Sequence, residues 1–195
     1  MIMRNICVFC GSSHGLDPTF TEEAKSLGHH LVSNNFALVY GGGSIGLMGE
    51  IADAVLEKDG EVIGVIPDFL AHKEVDHKGI TKMYKVESMH ERKNKMVEIS
   101  DAFIAMPGGF GTFEELFEIL TWAQLGLVKK PIALFNVAGY FNPLINMLNT
   151  MVTSSFLKQE NLDLLVIDSK PAGVLEKIMD YKVQKTQKWI SRDQT

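Results

Sequence analysis

The stretch from Ala102 to Glu118 constrains the fold more than any other part of this chain. Phe103-Ile104-Ala105-Met106 is a short apolar run that predicts a fully buried strand, and it leads straight into Pro107-Gly108-Gly109-Phe110-Gly111-Thr112. Phe113, Leu116, Phe117 and Leu120 then recur at helical spacing. A buried strand, a glycine turn and a helix start in succession make an anion site. The turn lets the backbone approach a ligand, and the unpaired N–H groups of the first helical turn face it. No Gly-Lys-Ser/Thr closes the turn, so it is not a Walker loop and lacks the lysine and the magnesium-binding hydroxyl of ATP hydrolysis. It can hold one monophosphate through N–H groups and the Thr112 hydroxyl.

The same strand, turn and helix grammar runs through the chain. Apolar runs predict strands at 5–10, 37–40, 62–66, 82–86, 131–135 and 164–167. Helices are expected from Thr19 to Asn34, over 47–55, from Ser88 to about 100, over 113–126 and 143–152, and from Pro171 to about Lys188. Thr19-x-x-Glu22 and Ser88-x-x-Glu91 read as capping boxes. The polar segment 68–79 reads as a loop over the ligand edge. Strands alternating with helices predict an α/β, Rossmann-like, doubly wound fold, a mostly parallel sheet with helices on both faces. The 195 residues make a single domain with a polar C-terminal tail at about 184–195.

A net charge of −5 argues against a nucleic-acid or anionic-membrane partner, which needs a basic stripe. Any anion must therefore be held by backbone dipoles and a few placed cations. No stretch approaches a membrane span, and the N-terminal apolar run is too short for a signal peptide. Cys7 and Cys10 have C-x-x-C spacing, but inside a strand an offset of three puts them on opposite faces. They read as buried thiols in a reducing cytoplasm. The histidines show no metal-ligand spacing, so no metal is expected.

Gly41, Gly43 and Gly46 spell G-x-G-x-x-G after the second strand rather than the first. A close-packed strand-to-helix corner and a phosphate or ribose contact both fit it. Thr112-x-x-Glu115 is either a capping box or a hydroxyl and a carboxylate beside a bound phosphate. A carboxylate there would repel the anion unless a cation or ribose hydroxyls lie between. The cation candidate is Arg92, which shares the stripe of Met89, Met96 and Ile99 and so points with the apolar face. It either finds an internal partner or snorkels at the edge. Lys93 falls on the exposed flank, within reach of a phosphate. Trp122, Leu125 and Leu127 suit a subunit contact or core packing.

Met89-His90-Glu91-Arg92-Lys93, followed by Pro107-Gly-Gly-Phe-Gly-Thr-Phe-Glu-Glu115, resembles the LOG (Lonely Guy) family, cytokinin riboside 5′-monophosphate phosphoribohydrolases also labelled "lysine decarboxylase-like". The family pattern P-G-G-x-G-T-x-x-E with an upstream arginine-lysine pair is complete. Val39 to Gly49, Cys7 to Ser13 and Thr121 to Gly126 match the family's first glycine loop, N-terminal strand and dimer-region helix. The resemblance covers roughly residues 5–180. It implies a Rossmann-like homodimer without metal or redox cofactor that hydrolyses the N-glycosidic bond of a nucleoside 5′-monophosphate, a cytokinin ribotide or AMP. It implies Arg92 and Glu115 as the catalytic pair, with Gly108, Gly109, Phe110, Gly111 and Thr112 around the phosphate. Glu74, Met89, Lys93 and Thr121 would contact substrate, and Ser12, Ser13, Gly41, Gly42 and Gly43 would shape the pocket. Phe110 stands where tyrosine is common, and the loop around Glu74 is less like the plant members. A non-catalytic nucleotide sensor is the alternative; lysine decarboxylation has no recognisable Schiff-base lysine to support it.

Overall fold

The computed structural model describes residues 3–71 and 76–182. Among them, seven strands form one sheet in the order β4-β3-β2-β1-β5-β6-β7, with every neighbouring pair parallel. The strands are β1 (Asn5–Phe9), β2 (Ala37–Tyr40), β3 (Val62–Pro67), β4 (Lys82–Val86), β5 (Ala102–Ala105), β6 (Ile132–Phe135) and β7 (Leu165–Asp168). The helices are α1 (Thr19–Ser33), α2 (Gly46–Leu56), α3 (Asp68–Ala71), α4 (Met89–Ile99), α5 (Phe110–Gln124), α6 (Asn142–Thr153), α7 (Gln159–Leu162) and α8 (Pro171–Met179).

Apart from Asn5 at the start of β1, the central strands β2, β1 and β5 are apolar because helices cover both faces. Cores form on either side of the sheet. One joins Ile6, Val8, Leu38 and Ile104 to Ala24, Leu27 and Leu31 of α1, Ile51 and Val55 of α2, and Val174 of α8. The other joins Cys7, Val39, Val65 and Phe103 to Met96 of α4, Leu116 and Ile119 of α5, and Leu148 of α6. Cys7 and Cys10 fall in different cores, as the offset of three requires, and both thiols are free and buried. Burial raises the pKa of each, with the Glu115 charge adding to it.

Chain order reverses between β1 and β5, which are neighbours in the sheet. Connections leave these two strands in opposite directions, so a crevice opens beyond their carboxyl ends. Residues 11–13 and 107–109 line it, and Gly11 N donates to Pro107 O over 3.0 Å.

Local signals succeed and fail for identifiable reasons. The Ser88 cap forms: its hydroxyl accepts from Glu91 N (3.1 Å), while the Glu91 carboxylate accepts from Glu87 N (2.9 Å). The expected box at Thr19 does not form, because the Asp17 carboxylate accepts the Thr19 N–H (2.9 Å) and Pro18 is the cap. The segment 68–79 begins with the short α3, and Asp76 bridges to Gly43. The last helix ends at Met179 rather than about Lys188, and the polar tail expected at 184–195 lies outside the described residues.

Gly46 opens α2 with φ 61°, and a methyl group there would overlap the backbone of Ser12 and Ser13. Backbone cannot step aside as a side chain can. Gly46→Ala is therefore expected to lower the unfolding free energy by about 2–4 kcal/mol, the sum of a left-handed alanine and an overpacked contact. Urea denaturation measures it, and a loss under about 1 kcal/mol would mean the two turns are not in firm contact.

Candidate functional site

Three turns meet at the carboxyl edge of the sheet: 11–13 after β1, 41–46 after β2 and 107–109 after β5. Beside the last opens the amino end of α5. The helix starts at Phe110 with Gly109 as its cap and no side-chain cap bond, and the first intrahelical bond runs from Phe113 N to Gly109 O. Thr112 is thus the third helical residue and not the cap, which removes the capping-box reading of Thr112 and Glu115. The N–H groups of Phe110, Gly111 and Thr112 have no acceptor within the helix, as at any helix start. Nothing lies within 4 Å of where a side chain would begin at Gly109 or Gly111. Phe110 is 96% exposed, whereas Thr112 is 4% exposed. Such an end attracts negative charge through its peptide dipoles.

Arg92 is buried, 6% exposed, on the first turns of α4. Its Nε donates to Val65 O (3.0 Å) and its Nη2 to Gly41 O (2.9 Å), while Nη1 lies 3.7 Å from the Met89 sulfur. The internal partners are thus carbonyls at the ends of β3 and β2. Gly41 must be glycine, because a methyl group would overlap the guanidinium. These partners are neutral, so they take up some of its five donors without cancelling the charge.

Glu115 is half-buried on the second turn of α5. It lines a narrow crevice between α4 and α5 with Phe9, Lys93, Met96 and Trp122. The Cys7 thiol beneath is pushed up chiefly by burial and next by the Glu115 charge, with Arg92 acting in the opposite sense. The guanidinium lies over Val65 and Gly41 and Glu115 lies beside Phe9, so both side chains stand on the face of the sheet that α4 and α5 cover. Lys93 is not on an exposed flank: its amine pairs with Glu114 and, at 3.0 Å, Glu118, and its side chain is 15% exposed. Burial lowers its pKa, but the two carboxylates outweigh that, and the net shift is upward.

Ser12 and Ser13 line a cavity of about 310 Å³ with Gly108, Gly109, Phe20 and Tyr140. Gly42 O accepts from His77 N (3.0 Å), so the 41–43 turn is tied to the segment after α3. Glu74 lies outside the described residues. Thr121 is not brought to the turns by this chain. It sits nine residues beyond Thr112 on α5, about 14 Å along the axis. Its hydroxyl donates to Phe117 O (2.7 Å), and it lines a separate cavity of about 200 Å³ with Phe117, Leu120 and Met151. Among the described histidines, His14 lies near Glu50, His29 near Glu57 and His77 near Asp53. Sequence reasoning missed Tyr140, whose hydroxyl donates to Gly108 O (2.6 Å). A tyrosine in an unpatterned connection gives no periodic signal.

Comparison with known proteins follows the same residues. Residues 48–178 match a family profile described as "Possible lysine decarboxylase". A probable cytokinin riboside 5′-monophosphate phosphoribohydrolase of Oryza sativa subsp. japonica, LOGL2, is 45% identical over 181 residues, which is 93% of this chain and 74% of that protein. The Arabidopsis thaliana cytokinin riboside 5′-monophosphate phosphoribohydrolase LOG1 is 46% identical over 178 residues, 91% of this chain and 84% of that protein. Among solved structures, a molybdenum cofactor binding protein of Rippkaea orientalis superposes with a TM-score of 0.68 at 23% identity, covering 92% of this chain and 97% of that one. At that identity the likeness is one of fold.

The two carbonyls on Arg92 generate a test. Arg92→Lys is expected to lower stability by about 2–4 kcal/mol, since one amine cannot reach both and leaves a buried acceptor unpaired. Urea melts measure it; an unchanged midpoint would mean the guanidinium does not brace α4 against the sheet.

Proposed function

We propose, for a chain that belongs to the LOG family of cytokinin riboside 5′-monophosphate phosphoribohydrolases, that it adds water across the N-glycosidic bond of a nucleoside 5′-monophosphate, a cytokinin ribotide or AMP, releasing free base and ribose 5-phosphate. The observation that supports this reading is a buried Arg92 on Val65 O and Gly41 O and a half-buried Glu115 between α4 and α5, on one face of the sheet with the open amino end of α5. The phosphate is held by the N–H groups of 108–112 and the Thr112 hydroxyl, with Ser12, Ser13 and the 41–43 turn bounding the pocket. Fixing the phosphate sets where C1′ lies and lowers the entropic cost of attack.

Cleavage develops positive charge on the ribose, as in glycoside hydrolysis. Glu115 stabilises that charge, binds ribose hydroxyls and orients the attacking water. A guanidinium is a poor proton donor. Arg92 therefore acts as a fixed positive post that positions the ligand and offsets the anion beside Glu115, and the leaving base takes its proton from water. Met89 lies beside the guanidinium and Lys93 holds the α5 carboxylates, and Glu74 is proposed as a substrate contact.

A Schiff base needs a neutral amine. The Lys93 pKa is raised, so it stays charged. Burial lowers the pKa of Lys130, but its amine donates to Val97 O and Ser100 O at the far end of α4. Neither favours decarboxylation.

We further propose that the chain pairs with a second copy through α5 and the segment after it. Phe117, Leu125 and Leu127 are exposed there, Leu127 at 72%, and Phe117 also lines the cavity that holds Thr121. Thr121 then meets substrate only across that interface. Among the described residues, no helix is long and apolar enough to cross a membrane. Two free thiols support a reducing compartment such as the cytoplasm.

Glu115→Gln is expected to lower kcat/KM on AMP and on isopentenyladenine ribotide by about 10²-fold or more while leaving the fold intact. Chromatography of released base and ribose 5-phosphate checks it. Retained turnover would remove Glu115 from the reaction, and binding of AMP without adenine release by the parent protein would make the chain a sensor. Leu127→Asp is expected to shift the protein to a monomer in light scattering, and an unchanged mass would move the interface elsewhere.

A further inference from the structure

We propose that Tyr140 is a positioning residue for phosphate recognition, setting the orientation of the Gly108–Gly109 peptide and so the aim of the Gly109 N–H. This rests on the reading that the 108–112 turn holds the substrate phosphate. The Tyr140 hydroxyl donates to Gly108 O over 2.6 Å. The peptide is trans, so its N–H points opposite to its carbonyl. Tying the carbonyl toward Tyr140 turns the Gly109 N–H away from the tyrosine. Without such a tie, a peptide between two glycines has no side chain to lock it and can rotate at little cost.

The connection carrying Tyr140 is built to deliver that hydroxyl. Ala138 and Gly139 adopt φ 49° and 73°, consecutive left-handed residues, which costs a non-glycine residue free energy. The turn is held by Tyr140 N to Val137 O (2.9 Å), Phe141 N to the Asn136 side chain (2.8 Å) and Asn136 to Asn142 (2.8 Å). The Tyr140 ring stands edge-on to Phe20 at 5.8 Å and to Phe141 at 5.0 Å. Ring position is thus fixed from two sides independently of the hydroxyl. A strained connection and an aromatic cluster converge on one hydrogen bond to the candidate phosphate turn.

Tyr140→Phe keeps the ring and removes the bond. The dissociation constant of ribose 5-phosphate, measured by calorimetry, and KM for AMP are each expected to rise about three- to tenfold, with kcat changed less than about twofold. Binding of unphosphorylated ribose and adenosine and the thermal midpoint are expected to stay at parental values. Unchanged ribose 5-phosphate affinity, or equal weakening of phosphorylated and unphosphorylated ligands, would overturn the proposal. Because calorimetry needs no turnover, a parent that binds ribose 5-phosphate but releases no adenine would defeat the hydrolase reading and leave this test intact.

Discussion

A cation that cannot shed its charge is buried where two parallel strands end, and much of the architecture follows from accommodating it. Arg92 has carbonyl partners on β3 and just past the end of β2, so α4 must cross the sheet at a height where both are within reach. Gly41 must lack a side chain. Carbonyls offset the desolvation of the guanidinium without neutralising it, so positive potential remains at the edge where the glycine turns gather. The next residue, Lys93, turns toward α5 and grips Glu114 and Glu118. Two adjacent cations on one helix thereby serve different neighbours: one braces the sheet and the other braces the helix that carries Glu115.

The second ingredient is the reversal of chain order between β1 and β5. It opens the crevice without demanding any particular side chain in it. Around that crevice the groups that face a ligand are mostly peptide amides: the start of α5 and the turns at 11–13 and 41–43. The side chains with evident chemistry, Arg92 and Glu115, come from helices on a single face of the sheet. Positioning is thus shared between a rigid parallel sheet and helix starts, which are held more precisely than long loops.

Much of this was legible in the residues. The apolar runs gave the sheet because a strand covered on both faces has no reason to alternate. Arg92 stood out because it shares the stripe of Met89, Met96 and Ile99, which allows an internal partner or a snorkelling edge position, and it is the internal partner that forms. Other readings failed where neighbours compete for one hydrogen bond. Asp17 took the Thr19 N–H that a capping box would have used, and Gly109 began α5 before Thr112 could cap it. Lys93 seemed exposed because helical periodicity describes one helix at a time, and the two carboxylates that cover it belong to another. Tyr140 was invisible because its position depends on a left-handed alanine, which no local pattern announces. The short α7 was missed because a single turn carries too little periodicity to detect.

The crevice built mainly from peptide groups has a consequence for how such a protein can diversify. A point mutation replaces a side chain, but it cannot replace an amide, and bulk at Gly46 meets backbone that cannot yield, while bulk at Gly41 would displace the Arg92 guanidinium. On the proposed function, the hold on a sugar phosphate is therefore hard to alter by single substitutions, and a change in the accepted base is easier in segments away from these turns.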